Sequence, residues 1–206
     1  MTTIAVLGSG AVARALTGRL RDAGHELIVG SRAPREDAVF PVIGLREAAG
    51  SAEVVINAMP GPVSVEVLTG LAAELAGKVL VDVANATESD AHGFASALLY
   101  PGGSLAEEIQ RALPDVRVVK TLNTVHESIM AQPARLSTPP TAFLSGNDAD
   151  AKKAVGGLLA DLGWAAEWII DLGGVETARV PEAFMLMVGD LVRALGPVPF
   201  GMAIAR

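Results

Sequence analysis

The chain has 206 residues, half of them hydrophobic and 19% charged, with a formal net charge of −7 and no cysteine. That composition excludes a disordered chain, a disulfide scaffold, a thiolate nucleophile and a cysteine-ligated metal. No basic run points to nucleic acid, no run of about 18 apolar residues points to a membrane span, and the length suits one domain with at most an appendage.

The pattern begins with an apolar run at 3–7, too short and too poor in basic residues for a secretory leader, so a cytoplasmic protein is expected. It ends in Gly8-Ser9-Gly10. Val12, Leu16 and Leu20 then recur every four positions and predict a helix over 11–23, closed by Gly24. Residues 27–29 form a second strand, ending at Gly30-Ser31-Arg32. A short third strand is expected at 38–42, weakened by Pro41. Residues 53–58 and 78–83 read as strands four and five, with a helix at 63–75 between them. The 86–103 segment is long for a strand-to-helix loop. Its His92, Phe94, Leu98, Leu99 and Tyr100 suit a lid over a flat ligand.

Ser104 and Glu107 form a capping box that opens a helix to about Ala112. Strand six is expected at 116–120, strand seven at 141–145 and strand eight at 164–169. Asn147-Asp148 caps the helix that precedes strand eight. The last strong element covers 175–195. Its polar residues Arg179, Glu182, Asp190 and Arg193 fall near one narrow stripe, so it is expected to be buried against its own sheet or a second copy of the chain.

Apolar strands alternating with helices predict an α/β fold. Its doubly wound, mostly parallel sheet carries helices on both faces and a short C-terminal α/β extension. The whole chain reads as one domain, with a core at about 1–133 and the extension at about 134–206. The Pro-rich stretch at 135–140 marks the change.

Gly8-x-Gly10-x-x-Ala13 follows a strand, opens a helix and closes a β-α-β unit, the context of a dinucleotide fingerprint. The backbone at Gly8, Ser9, Gly10, Ala11 and Val12 would present N–H donors to a pyrophosphate. An NAD site normally ends its second strand with an acid that binds the ribose 2′-hydroxyl. This chain has Ser31 and Arg32 there, with Arg35 following, which suits a 2′-phosphate and therefore NADP(H). Paired surface charges, with Glu36 and Asp37 as partners, are the competing reading of Arg32 and Arg35. Ligands in such sheets collect at the carboxyl ends of the strands. That places Ala58, Met59, Pro60, Ala84 and Asn85 near the nicotinamide end. His92 and His126 lie in loops on that side, while His25 lies at the opposite sheet end. No Ser-His-Asp arrangement, metal cluster or lysine-based catalytic set can be assembled, and only Lys120 approaches the site.

Val6-Leu7-Gly8-Ser9-Gly10 and Gly24-His25-Glu26-Leu27-Ile28-Val29-Gly30-Ser31-Arg32 resemble the NADPH-dependent reductases of the deazaflavin coenzyme F(420). Two further blocks are similar to that family: 118–125 and Asp171-Leu172-Gly173-Gly174. The His25-Glu26 to Gly30-Ser31-Arg32 block also resembles the cytosolic domains of some membrane metalloreductases. The family resemblance implies direct hydride exchange between NADP(H) and the deazaflavin ring, with Ser9, Ser31, Arg32 and Arg35 toward the 2′-phosphate. A small-molecule redox substrate and a homodimer are expected. An NADP-binding sensor without turnover, or a reductase of a flavin, quinone or imine, are the alternatives.

Overall fold

The computed structural model describes residues 1–36 and 40–205. An eight-stranded sheet is built from β1 (Thr3–Leu7), β2 (Glu26–Ser31), β3 (Val42–Gly44), β4 (Val54–Asn57), β5 (Val79–Asp82), β8 (Arg117–Lys120), β9 (Ala142–Ser145) and β10 (Ile169–Gly173), in the order β10-β9-β8-β5-β4-β1-β2-β3. Every described pairing in it is parallel except β8 with β9. The chain order reverses between β1 and β4, and the carboxyl ends of these two strands flank a crevice.

Strand residues alternate between two cores because successive side chains leave opposite faces. Ile4, Val6, Ile56, Val81 and Val119 face α1 (Ala11–Asp22), α6 (Glu127–Met130) and α7 (Ala149–Asp161). Ala5, Leu7, Val55, Leu80 and Val118 face α2 (Leu45–Ser51), α3 (Gly61–Thr69), α4 (Ala72–Leu75) and α5 (Leu105–Ala112). The expected caps form: Ser104 Oγ accepts from Glu107 N, and Asp148 accepts from Ala151 N.

Several expected elements differ. The third strand lies at Val42–Gly44; residues 38 and 39 of the expected 38–42 strand fall outside the described residues. The 63–75 helix is two helices, α3 and α4, separated at Gly70-Leu71. The eighth strand of the sheet is Ile169–Gly173, later than 164–169. Trp164 is instead a plug, 2% exposed, with Nε1 donating to the Met130 carbonyl at 2.9 Å.

The 86–103 segment is not an open loop. It folds as an antiparallel hairpin of β6 (Thr87–Ser89) and β7 (Ala95–Leu98). Asp90 Oδ1 accepts from the His92 and Phe94 backbone N–H groups, each at 2.9 Å. The Phe94 bond, with help from the His92 bond, holds the Asp90 carboxyl below its ordinary range.

The 175–195 element is broken into a 3-10 turn at Val175–Ala178, α8 (Arg179–Ala183) and α9 (Met185–Leu195). Of the two burials expected for this element, the one against its own sheet does not occur at α9. Leu186, Met187 and Leu195 are exposed, and Gly189 is its one buried residue. Both sheet faces are already covered, so α9 packs on β7 instead. A Cβ on Gly189 would stand 3.0 Å from the Phe94 Cβ.

Candidate functional site

The turn after β1 is shaped by close backbone approach. Gly8 has φ +121°, and a Cβ there would lie 2.5 Å from the Ala58 carbonyl oxygen. Gly10 differs: a Cβ on it would meet no atom within 4 Å. That open space, above the start of α1, is where a pyrophosphate would sit. No side chain caps α1 and no acid occupies its first turn, so its N–H groups remain available to an anion.

A cleft of about 530 Å³ opens here. Gly8, Ser9, Gly10, Ser31, Arg32, Ala58, Met59 and Pro60 all line it. Arg32 is exposed and makes no ion pair among the described residues. Ser31 Oγ accepts from Ala33 N at 3.2 Å, leaving its own proton to donate. Leu45, Val63 and Val67 complete an apolar wall suited to an adenine ring. Sequence reasoning missed these three, because they sit on helices whose patterning signals only core. Ala11 and Arg35 are not in this wall. Ala11 starts α1, and its contribution is backbone alone. Arg35 N donates to the Val42 carbonyl, and its side chain borders a separate small hollow with Arg14 and Phe40.

A second cleft, of about 680 Å³, meets the first along Met59-Pro60. Ala84 and Asn85 line it, and so does Val12, which the fingerprint had assigned to the pyrophosphate end. The Asn85 and Asn123 side chains clasp each other: Asn123 Nδ2 donates to Asn85 Oδ1 at 2.9 Å, and Asn85 Nδ2 donates to the Asn123 carbonyl at 3.0 Å. Leu122, beside Asn123, is the one non-glycine residue with positive φ among those described, at 60°. Strain of this kind persists only where surrounding contacts over-determine it. It turns the β8–α6 connection so that Asn123, Thr124 and His126 border the cleft. Of the two loop histidines, His126 lines the cleft, while His92 is exposed and does not.

The remaining wall comes from the C-terminal segment. Phe184, Met185, Val188 and Val192 descend from the α8–α9 region, Phe94 from the hairpin, and Val198 and Phe200 from the tail. The tail is tied down like an extra strand. His126 N donates to the Phe200 carbonyl, Met202 N to the Thr124 carbonyl and Thr141 N to the Met202 carbonyl. A Cβ on Gly201 would lie 2.6 Å from Val125 Cγ1, so this approach needs glycine. Sequence reasoning missed this wall, since nothing local shows that residues 184–200 return across the β4–α3 and β5 loops.

Beneath the floor lies a buried charge network. Lys120 Nζ stands 2.9 Å from both Asp82 Oδ2 and Glu182 Oε1, and it also donates to the Ala84 carbonyl. All three charged side chains are at most 3% exposed. Burial works to lower the Lys120 pKa, but the Asp82 and Glu182 carboxylates together outweigh it and raise it. Glu182 also accepts from Leu105 N at 2.9 Å, capping α5 from 77 residues away. Lys120 therefore braces the turn at Ala84 and anchors α8; it does not face the cleft. His25 pairs with Asp161 at the far sheet end, as its position suggested.

No helix among the described residues is long and apolar enough to cross a membrane. The model of the coenzyme F(420)-dependent NADP oxidoreductase family matches residues 3–86. A crystal structure of a candidate F(420)-dependent NADP reductase from Arthrobacter sp. FB24 superposes with a TM-score of 0.92 at 39% identity, covering 100% of both chains. The F(420)-dependent NADP reductase of Methanocaldococcus jannaschii is 30% identical over 72% of this chain and 67% of its own. Rat metalloreductase STEAP3 is 32% identical over 89% of this chain, which spans only 36% of that protein's length.

Proposed function

Because the chain belongs to the coenzyme F(420)-dependent NADP oxidoreductase family, whose cofactor is NADP(H), we propose that it transfers hydride between NADP(H) and a flat redox ring, with the deazaflavin F(420) as acceptor. The observation that carries this reading is the pair of clefts joined at Met59-Pro60. One has a polar, cationic end for a nucleotide. The other is an apolar compartment large enough for a second ring.

The residues fit NADP(H). Gly10 leaves the space a pyrophosphate needs, and α1 turns its free N–H groups toward it. Ser31 and Arg32 would hold the 2′-phosphate by charge-assisted hydrogen bonds. Ala58, Met59, Pro60, Ala84 and Asn85 would border the nicotinamide ribose and ring. NADPH supplies a hydride from its dihydronicotinamide ring. The chain's task is to stack the two rings and to keep water out, which needs no nucleophile. Phe94, Phe184 and Phe200 supply the dry side of the cleft, and the Asn85–Asn123 clasp supplies fixed amide dipoles at its floor.

The same reading treats the chain as one NADP-binding domain of a cytoplasmic homodimer. The exposed Leu186, Met187 and Leu195 on α9 support a self-contact. The test of function is direct. Purified protein with NADPH and oxidised F(420) is expected to bleach the deazaflavin absorbance. No bleaching across a pH series, with NADPH binding intact, would overturn the F(420) assignment.

A further inference from the structure

One amide at the carboxyl end of β8 is left half used. The Asn123 backbone carbonyl can only accept, so the Asn85 atom facing it at 3.0 Å is the amide nitrogen. That turns Asn85 Oδ1 toward the Asn123 side chain, which must then present its own nitrogen, at 2.9 Å. One fixed backbone atom thus sets both amides. Asn123 Oδ1 accepts from nothing among the described residues. Nor is it sealed in the core: the sealed side-chain atoms without a partner there are His25 Nδ1, Glu74 Oε2 and Thr121 Oγ1. Asn123 is 3% exposed and lines the second cleft, so the little surface it has opens there.

A buried acceptor held in one orientation calls for a donor, because leaving it dry and unpaired is costly. Its place in the sheet says which donor of a nicotinamide cofactor can reach it. The pyrophosphate space lies over Gly10, after β1, and the sheet continues in the order β1-β4-β5-β8. Three strand spacings separate β1 from β8, roughly 14 Å. The nicotinamide ribose, next to the pyrophosphate, falls short of that, over β4 and β5. The carboxamide is the group at the far end of the cofactor, and its NH2 is a donor.

We propose that Asn123 Oδ1 accepts from the NH2 of the nicotinamide carboxamide. Asn85 is the positioning residue: by holding the Asn123 amide it makes this oxygen the atom presented. The bond fixes the rotation of the ring about its ribose linkage, so that one ring face is turned to the apolar wall. This rests on the NADP(H) reading of the nucleotide cleft and is independent of which acceptor takes the hydride.

The experiment titrates the protein by calorimetry with NADP⁺, with its 3-acetylpyridine analogue and with 2′,5′-ADP. The analogue carries a methyl group where the carboxamide carries NH2, so either rotamer leaves Asn123 Oδ1 unpaired. The native protein is expected to bind NADP⁺ about fivefold tighter than the analogue. Asn123→Ala is expected to abolish that preference and Asn85→Ala to lose most of it. Meanwhile 2′,5′-ADP, which lacks the nicotinamide, should bind all three proteins alike. Equal binding of the two dinucleotides by the native protein overturns the proposal. So does a preference that survives in Asn123→Ala, which would put the contact on the ribose or on another residue. A variant that loses 2′,5′-ADP has lost its fold, and the comparison on the native protein then decides. Native protein that binds none of the three refutes the NADP(H) reading and the proposal with it. An intact preference without F(420) reduction supports the carboxamide contact and refutes only the choice of acceptor.

Discussion

Lys120→Met removes one cation from between two buried carboxylates and keeps most of the side-chain volume. The cost follows from what each carboxylate keeps. Asp82 retains bonds from Asn57 Nδ2 at 2.9 Å and Ala84 N at 3.2 Å. Glu182 retains Leu105 N at 2.9 Å and Ala106 N at 3.4 Å. Breaking a buried ion pair from one side typically costs about 3–5 kcal/mol, and the retained donors place this case near the lower end. For a chain of this size each kcal/mol moves the melting midpoint by about 2–4 °C, so the expected loss is on the order of 10 °C. The assay is thermal unfolding by circular dichroism at two pH values. In the variant, an uncompensated carboxylate has its folded pKa raised above the unfolded value. The destabilisation is therefore full at neutral pH and shrinks as pH falls through that raised value. The double variant Lys120→Met/Glu182→Gln is expected to recover part of the loss. In the native protein the sign is opposite. The Lys120 pKa is raised, so its contribution is complete through neutral pH and is lost only as strongly alkaline pH passes that raised value. A shift below about 2 °C, or one independent of pH, refutes the account of the network as a charge-dependent brace.

Three further outcomes are expected. Arg32→Ala should weaken NADPH by about 1.5–3 kcal/mol, the worth of a charged hydrogen bond, and leave NADH nearly unaffected; equal losses in a titration of both would contradict the 2′-phosphate assignment. Gly8→Ala and Gly10→Ala should separate fold from binding. At Gly8 the φ of +121° and the 2.5 Å approach to the Ala58 carbonyl oxygen cost stability, by about 1–3 kcal/mol. At Gly10 the apoprotein should melt unchanged while NADPH affinity falls about tenfold or more, a loss of about 1.4 kcal/mol; unchanged affinity would show that no phosphate approaches there. Gly201→Val places its Cβ 2.6 Å from Val125 Cγ1 and 3.0 Å from Pro140 Cβ, so the tail must lift. Acceptor KM should rise while the NADPH dissociation constant holds; a parallel rise in both would show that the tail supports the whole fold and not the second cleft.

The nucleotide half of the site was legible because its signals are local. A strand, a glycine turn and a helix start lie within a few residues, and each residue type follows from backbone geometry at that point. Gly8 must be glycine because the backbone at Ala58 crowds it. Ser31 and Arg32 could be read as 2′-phosphate partners because β2 must end beside β1. The strands of the core were equally legible, since an apolar run between helices can only be buried.

The second cleft was decided elsewhere. Hydrophobic periodicity says that 185–195 is a helix with little polar surface, but not what it covers. With both sheet faces filled by nearer elements, α9 was left to pack on the β6–β7 hairpin, and its apolar residues became one wall of a cleft and one exposed face. The hairpin itself went unseen because its strands are three and four residues long and rich in small side chains. Glu182 reads in sequence as a surface charge on the last helix. Only the fold brings it to Lys120 and to the start of α5, 77 residues earlier. Local sequence determined the strands, the glycine turn and the Ser31-Arg32 end of β2, because those depend on interactions over one turn or one pleat. The second cleft depends on contacts between residues 94, 123–126 and 184–200. Contacts at that separation are fixed by which surfaces remain uncovered once the sheet has closed, and so only the tertiary structure could place them.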